Sequence, residues 1–404
     1  MKYRYKVFLL LLVVCILASC AEQDKVHVAN SSTISKYTPD EPSVIPEISD
    51  IFSEEDTSSL LTDYIDISSQ VESDDAESID VSEPEESNSE SPSEPFPEES
   101  SQQISDTNSK DTAENEKPHK VNGFIVYGDR GMEPFGGSAK GGVYTAEVFN
   151  EFKSCVGDNV NVYAMPIPLA CTFYAPDEYQ NSVSSMYNCF YGLRDALVDV
   201  EFVDLISALE LHADEDIYAK TDHHWMALGA YYASEKLSEV ANADFAQLDQ
   251  FKECSFDGFL GSIVSGYGVK ELKSYPETFY WYEPLQEYNA HYYDQKYNYS
   301  FSGSIFSSSN SYVKFIRGDS YSVRIETGVN NGRKMLLIKD SFGNAMAPFL
   351  LAGFEEVYII DYRDFECNIL DFIKDNEITD VTLALSAFAV ASSKRDNIIR
   401  LIEQ

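Results

Sequence analysis

Basic side chains are scarce in this chain of 404 residues. Lys and Arg number 29 against 68 Asp and Glu, which gives a formal net charge of −39. Residues 21–118 alone hold 27 acidic and 4 basic side chains. Sequence-independent binding to nucleic acid and electrostatic docking on anionic lipid both need cations to face the phosphates. The composition therefore excludes sequence-independent nucleic-acid binding and argues against docking on anionic lipid, and no nucleic-acid partner is predicted.

Cysteine is sparse and irregularly placed. Five cysteines follow Cys20, namely Cys155, Cys171, Cys189, Cys254 and Cys367. An odd number without a recognisable spacing predicts neither a disulfide framework nor a zinc cluster. We expect these thiols to be buried as small hydrophobic side chains, and a disulfide between one pair, such as Cys171 with Cys189, is left open.

The apolar run from Val7 to Ala18 is too short to cross a bilayer core of about 30 Å. Three basic residues precede it, so residues 1–20 are predicted to be a secretory signal. The run ends in Leu17-Ala18-Ser19-Cys20, which resembles a lipobox and predicts a lipid anchor on Cys20. An ordinary cleaved signal is the alternative. Both predict an extracytoplasmic protein, and the lipid would be its only membrane attachment.

Residues 21–118 are dominated by Ser, Glu, Asp, Pro and Thr. Such a segment cannot bury enough apolar surface to offset the roughly 1–2 kcal/mol per residue that backbone ordering costs. We therefore predict a disordered acidic tether at 21–118, followed by one folded domain at 119–404.

Short apolar runs alternate with helical patterns in the predicted domain. Predicted strands are Phe124–Tyr127, Val160–Met165, Glu201–Leu205, Val313–Arg317, Met335–Lys339, Val357–Asp361 and Val381–Ser386. Predicted helices are Thr145–Ser154, Trp225–Val240, Gly343–Leu351 and Asp396–Ile402. This alternation predicts an α/β fold with a three-layer, doubly wound, mostly parallel sheet.

Ser341 lies where the predicted strand Met335–Lys339 turns into a helix. Ligands bind at the carboxyl ends of strands in open α/β sheets, and a helix N-terminus favours developing negative charge. A serine at this junction is a candidate nucleophile. The alternative is that Ser341 is an ordinary helix cap and Asp340 a surface acid.

Asp222 and His224 could supply the base that such a serine needs. Residues two apart in an extended segment face the same way, so the carboxylate could orient the imidazole toward Ser341. The spacing selects His224 rather than His223 as the base. In one alternative, Asp222 merely caps the helix that begins near Trp225. In another, Asp222, His223 and His224 bind a metal, although the prediction is that none is bound.

These strings together resemble the DHHW family of exported bacterial proteins, which is similar to the SGNH-hydrolase-like domains of the alginate O-acetylation proteins. The resemblance rests on Tyr127-Gly128-Asp129-Arg130, Val162–Pro166, Phe173–Pro176, Thr221–Tyr231, Ile338–Ala345 and Ile360–Arg363. It implies an SGNH-like fold and acyl transfer through an ester on Ser341, with His224 and Asp222 completing a triad and no cofactor.

The resemblance also implies that the N–H groups of Ser341 and Gly343 stabilise the oxyanion. Asn344 and His223 are predicted to support the site, and Trp225 and Arg317 are candidate substrate contacts. The sequence departs from the family pattern at Arg317-Gly318-Asp319 and at Leu385–Phe388.

A tyrosine-rich stretch between Tyr275 and Phe301 includes Trp281 and Tyr282. Flat aromatic rings with a polar tip suit stacking on sugars, which makes these two residues candidate glycan contacts. Packing of an edge strand is the alternative.

The resulting prediction is a lipoprotein that O-acetylates a cell-surface polysaccharide or cell-wall glycan, with a membrane acyl-donor protein as a partner. Two alternatives stay open, namely a carbohydrate esterase of the same mechanism and a non-catalytic glycan-binding surface module.

Overall fold

The computed structural model describes residues 117–404. The predicted signal peptide, the lipidation of Cys20 and almost all of the acidic tether therefore lie outside the described residues. Within 117–404, no helix combines the length and the hydropathy that a membrane crossing requires.

One large sheet organises the domain. The strands are β1 His119–Val121, β2 Phe124–Tyr127, β3 Arg130–Met132, β4 Asn161–Ile167, β5 Glu201–Phe202, β6 Phe251–Phe259, β7 Glu277–Pro284, β8 Tyr288–Tyr293, β9 Tyr299–Gly303, β10 Ser322–Thr327, β11 Lys334–Lys339, β12 Glu356–Asp361 and β13 Asp380–Ser386. The large sheet has the order β5-β4-β13-β11-β12-β10-β8-β9. The first five strands are mutually parallel, and the pairs β12–β10, β10–β8 and β8–β9 are antiparallel.

The mixed α/β architecture agrees with the prediction, but the sheet is less parallel than expected. Strands β11, β12 and β13 are almost wholly buried, as their near-continuous apolar runs require. Strands β8 and β9 instead carry tyrosines and serines, many of them partly exposed. The sequence therefore contains no apolar run that would indicate these two strands.

The helices form two packed groups. They are α1 Ala139–Val156, α2 Cys171–Tyr174, α3 Gln180–Ala196, α4 Leu205–Glu210, α5 Ala227–Val240, α6 Ser262–Ser265, α7 Ile369–Asp375, α8 Ala387–Ala391 and α9 Asn397–Glu403. Helix α1 packs against α3, α7 and α9, whereas α5 packs against α4 and a 3₁₀ helix at Ser341–Phe349. A Cβ on Gly142 would lie 1.9 Å from the Cys189 carbonyl oxygen, so only glycine allows α1 and α3 to pack this closely.

Several predicted elements differ from the structure. The predicted strand Val313–Arg317 is wrong, because a 3₁₀ turn at Tyr312–Lys314 leads into left-handed backbone at Ile316, Arg317 and Gly318. The predicted helix Gly343–Leu351 is the 3₁₀ helix Ser341–Phe349, which contains Pro348. All five described cysteines are free thiols, and Cys171 and Cys189 are buried as expected. The expected burial is wrong for Cys155, which is exposed, and for Cys254 and Cys367, which are half-buried.

Candidate active site

Ser341 follows directly on the carboxyl end of β11, at the start of the 3₁₀ helix. Asp340 is the N-cap residue, and its Oδ1 accepts a hydrogen bond from the Phe342 N–H at 3.3 Å. Its Oδ2 accepts the Ser386 N–H at 2.8 Å, which ties the tips of β11 and β13 together. The alternative with Ser341 as the cap and Asp340 as a surface acid is therefore wrong, since Asp340 is buried.

The segment that carries Asp222 and His224 is a tight turn, not the extended strand that was expected. Asp222 Oδ1 accepts the His224 backbone N–H at 3.0 Å, which is an Asx-type turn. Helix α5 begins at Ala227 with Met226 as its N-cap, so the alternative in which Asp222 caps this helix is also wrong.

The turn still brings the three predicted side chains together. His224 Nδ1 lies 2.8 Å from Asp222 Oδ1, and His224 Nε2 lies 2.8 Å from Ser341 Oγ. Relative exposures are 5% for Asp222, 5% for His224 and 8% for Ser341. Because a carboxylate only accepts hydrogen bonds, Nδ1 carries the proton, and in the neutral imidazole Nε2 accepts from the Ser341 hydroxyl.

Asp222 is held in its charged form. Burial alone would raise the pKa of this carboxyl, but the hydrogen bond from His224, the two neighbouring imidazoles and the Ser262 N–H lower the pKa well below its usual range. The Ser262 N–H donates to Asp222 Oδ2 at 2.7 Å, so both carboxylate oxygens are engaged. A fixed carboxylate of this kind orients an imidazole and stabilises it when it becomes protonated.

Aromatic rings enclose the imidazole of His224. The Tyr312 ring stacks on it with centroids 3.8 Å apart, and the Phe342 ring meets it edge-on at 4.9 Å. Trp225 is fully buried, and its Nε1 donates to the Phe342 carbonyl at 2.9 Å. The predicted substrate contact by Trp225 is therefore wrong, because this side chain anchors the Ser341 segment from inside the core.

The supporting residues have defined but different positions. The Gly343 N–H donates to the Asp340 carbonyl at 2.9 Å, which is incompatible with the oxyanion role predicted for it. Asn344 is buried, and its Nδ2 donates to Asp319 Oδ1 at 2.8 Å. His223 Nδ1 lies 2.6 Å from Ser262 Oγ, and its ring centroid lies 3.8 Å from that of His224.

The predicted substrate contacts on the tyrosine-rich side pack against protein groups. The Arg317 guanidinium lies over the rings of Phe301 and Tyr292, at 5.1 and 5.6 Å. The Trp281 ring faces the Lys314 ammonium at 4.3 Å, and Tyr282 is only 6% exposed. These contacts favour the packing alternative for this stretch.

The family described as DHHW protein matches residues 50–360, which is more than half of the chain. The chain belongs to the DHHW family. The match begins inside the segment that composition assigns to the tether, so the predicted domain start at residue 119 stays a prediction.

Solved structures resemble this DHHW chain over most of its length. A DHHW family protein from Eubacterium siraeum is 36% identical with a TM-score of 0.66, covering 70% of this chain and 97% of that one. Bacillus cereus PatB1 with a sulfonyl adduct is 18% identical with a TM-score of 0.57, covering 69% and 98%. The O-acetyltransferase domain of Pseudomonas putida AlgJ is 12% identical with a TM-score of 0.39, covering 71% and 99%, a similarity too low to carry weight. No curated protein sequence matches significantly.

The DHHW chain also contains a buried ion cluster that the sequence did not reveal. The Lys339 ammonium is fully buried and contacts Asp319 at 2.6 Å and Asp361 at 3.0 Å. Arg363 binds both carboxylates at 2.7 Å. A Cβ on Gly343 would lie 2.4 Å from the Lys339 Cβ, so glycine lets the Ser341 segment rest on the lysine stem.

Asp222, His223 and His224 each offer a ligand atom, and these atoms lie within 4.8 Å of one another. The Asp222 and His224 atoms already bind each other and Ser341. A metal ion held by all three residues would have to replace these hydrogen bonds, so the geometry favours the triad.

Proposed function

We propose that this DHHW protein is an extracytoplasmic acyltransferase that carries an acetyl group on Ser341 and passes it to hydroxyls of a cell-surface polysaccharide. The observation that carries the proposal is the continuous relay from Asp222 through His224 to Ser341, with both links at 2.8 Å. A serine hydroxyl becomes a useful nucleophile when an oriented imidazole can take its proton.

In the first half-reaction, the Ser341 hydroxyl gives its proton to His224 Nε2 while Oγ bonds to the carbonyl carbon of the acetyl donor. The Ser341 N–H, at the start of the 3₁₀ helix, is the proposed donor to the oxyanion. The oxyanion then collapses, the bond from carbon to the donor oxygen breaks, and His224 returns the proton to that oxygen.

In the second half-reaction, a sugar hydroxyl gives its proton to His224 and attacks the ester carbon. The bond from carbon to Ser341 Oγ breaks, and the serine regains its proton. Water in place of the sugar would make the protein an esterase. The same triad serves both reactions, so the acceptor that reaches the Ser341 ester decides between transfer and hydrolysis.

The location and the partners are part of the proposal and derive from the sequence. The signal, the lipobox at Cys20 and the family resemblance support a lipid-anchored protein outside the cytoplasm that works on a surface polysaccharide or cell-wall glycan. A membrane acyl-donor protein would supply the acetyl group. The chain is proposed to need no cofactor.

Covalent labelling of the purified full chain tests the chemistry. Sulfonyl fluorides and activated acetyl esters react with activated hydroxyls, and PatB1 is described with a sulfonyl adduct. We expect mass spectrometry to find one label, located on Ser341, and none in Ser341→Ala. Ser154→Ala removes an exposed serine of α1 and should label like the parent. A parent protein without label on Ser341 would contradict the proposal.

Adding glycan separates the two enzyme classes. With an acetyl ester and a cell-wall oligosaccharide, a transferase should place acetyl groups on the sugar and release less free acetate. Acetate release that ignores the oligosaccharide would indicate the esterase instead.

A further inference from the structure

The backbone that leads into Asp222 is held by two half-buried charged side chains from distant strands. The Arg130 guanidinium, on β3, donates to the carbonyls of Tyr218 and Ala219 at 3.0 Å each. The Glu277 carboxylate, on β7, accepts the N–H groups of Lys220 at 2.7 Å and Thr221 at 2.9 Å. Residues 218–221 thus have side-chain partners where regular secondary structure is lacking.

The polarity of these contacts fixes the path of the chain. A guanidinium can only donate hydrogen bonds and a carboxylate can only accept them. Rotating one of these peptide units would turn a carbonyl toward Glu277 or an N–H toward Arg130. Burial raises the pKa of Glu277 and lowers that of Arg130. Burial therefore disfavours the charged forms of both side chains. Their hydrogen bonds to the backbone compensate for this cost.

Thr221 extends this support to the catalytic carboxylate. Its Oγ1 donates to Glu277 Oε2 at 2.7 Å and accepts the Gly261 N–H at 3.1 Å. The next N–H, of Ser262, donates to Asp222 Oδ2 at 2.7 Å. Glu277 is therefore linked to Asp222 through Thr221 and through Gly261 and Ser262 at the start of α6.

We propose that Glu277 is a positioning residue for the Asp222–His224 pair and acts through Thr221. The inference rests on the proposed function, because it assigns a task within that reaction. Without the carboxylate, Asp222 and the imidazole would lose their fixed placement relative to Ser341. A misplacement of about 1 Å costs on the order of 10²-fold in rate.

The test uses three variants of the full chain and one control. Glu277→Gln replaces one carboxylate oxygen, an acceptor, by an NH₂ group. Thr221→Val removes the hydroxyl at nearly constant shape, whereas Thr221→Ser keeps the hydroxyl. Glu283→Gln is the control, since Glu283 also lies on β7 but pairs with Lys252 at the surface. The measurements are the saturation kinetics of sulfonylation at Ser341 and the low-field proton NMR signal of the His224 Nδ1–H.

We expect the maximal labelling rate to fall about 10²-fold in Glu277→Gln and Thr221→Val, with an unchanged half-saturating reagent concentration. The low-field signal should be lost in both. Thr221→Ser and Glu283→Gln should retain the parent's rate and signal. If Glu277 only stabilised the fold, Glu277→Gln would lower the thermal midpoint of unfolding. The maximal labelling rate would then not fall selectively while the half-saturating reagent concentration stayed unchanged.

Parent-like rates and signals in folded Glu277→Gln and Thr221→Val would overturn the inference. If Glu277→Gln does not fold, the contrast between Thr221→Val and Thr221→Ser decides. If the parent itself is never labelled on Ser341, the proposed function fails, and the NMR signal alone then tests positioning. Loss of the signal in Thr221→Val but not in Thr221→Ser would still support the inference.

Discussion

Asp222 and the pair Asp319 and Asp361 form two acid groups next to the Ser341 segment. They differ in the side chains that balance their negative charge. Asp222 faces the imidazole of His224, whereas Asp319 and Asp361 face the permanent cations of Lys339 and Arg363. An imidazole can exchange a proton with a neighbouring hydroxyl near neutral pH, and an ammonium or guanidinium cannot. The first group is thus suited to chemistry, and the second to holding the scaffold on which the chemistry depends.

Asp222→Asn should produce the largest effect and should act on rate. An amide in place of the carboxylate can donate to Nδ1 and would favour the wrong tautomer of His224. We expect labelling of Ser341 to slow by about 10³–10⁴-fold. Asp257→Asn, at an exposed acid of β6, is the matched control, and the rate is followed by mass spectrometry. A slowing of less than tenfold would remove Asp222 from the mechanism.

Lys339→Met should have the next largest effect and should act on stability. The variant leaves Asp319 and Asp361 short of one cation inside the protein, and breaking such a buried ion pair costs about 3–5 kcal/mol. Urea unfolding measures the loss. Lys252→Met, which breaks a surface pair on β6, should unfold like the parent. Equal stability of the two variants would show that the buried cluster adds no stability.

Acid should weaken the fold through the same cluster. Burial alone would raise the pKa values of Asp319 and Asp361, but Lys339 and Arg363 lower both below their usual range. The unfolded chain therefore takes up these protons at a higher pH than the folded chain does. The stability gained is fully present above about pH 4 and is lost as the pH falls through the folded pKa values.

Urea midpoints measured between pH 7 and pH 3 follow this loss. Asp361→Asn should show a shallower pH dependence than the parent, because one of the linked protons is gone. A parent midpoint that does not move with pH would contradict the expected linkage.

Tyr312→Phe should have the smallest effect. The Tyr312 hydroxyl donates to the Phe342 carbonyl at 3.1 Å and accepts from Trp225 Nε1 at 3.1 Å. Losing a bond of this kind costs about 1 kcal/mol, and Trp225 Nε1 keeps its bond to the Phe342 carbonyl. The ring that stacks on His224 is kept, so labelling should slow far less than in Asp222→Asn. A rate loss as large as that of Asp222→Asn would mean that the hydroxyl takes part in the reaction.

The sequence predicted the parts of the site that depend on residues close to one another in the chain. An apolar run ending in Lys339-Asp340-Ser341 places the serine at a strand end, and the spacing of Asp222 and His224 indicates a pair. Their pairing through an Asx turn could not be predicted. The other carboxylate oxygen of Asp222 accepts the N–H of Ser262, which is forty positions away in the chain, and no local pattern indicates that contact.

Two of the missed features lacked a local sequence signal, each for its own reason. Strands β8 and β9 have no apolar run because both carry exposed polar and tyrosine side chains, so periodicity did not mark them. The ion cluster was missed because Asp319, Lys339 and Asp361 come together only when β11 and β12 pair in register. A charged residue in a sequence is normally assigned to the surface, and nothing local to Lys339 indicates its burial.

The left-handed turn at Ile316, Arg317 and Gly318, with φ of 44°, 63° and 75°, connects the two acid groups. Tyr312 lies on one side of it against His224, and Asp319 lies on the other against Lys339. Side chains other than glycine resist this conformation by roughly 1–2 kcal/mol per residue. Both ends of this strained turn are held, one by the Tyr312 ring against His224 and the other by the salt bridges of Asp319 with Lys339 and Arg363. The ring beside the base and an acid of the ion cluster therefore belong to one short stretch of backbone, only seven residues apart.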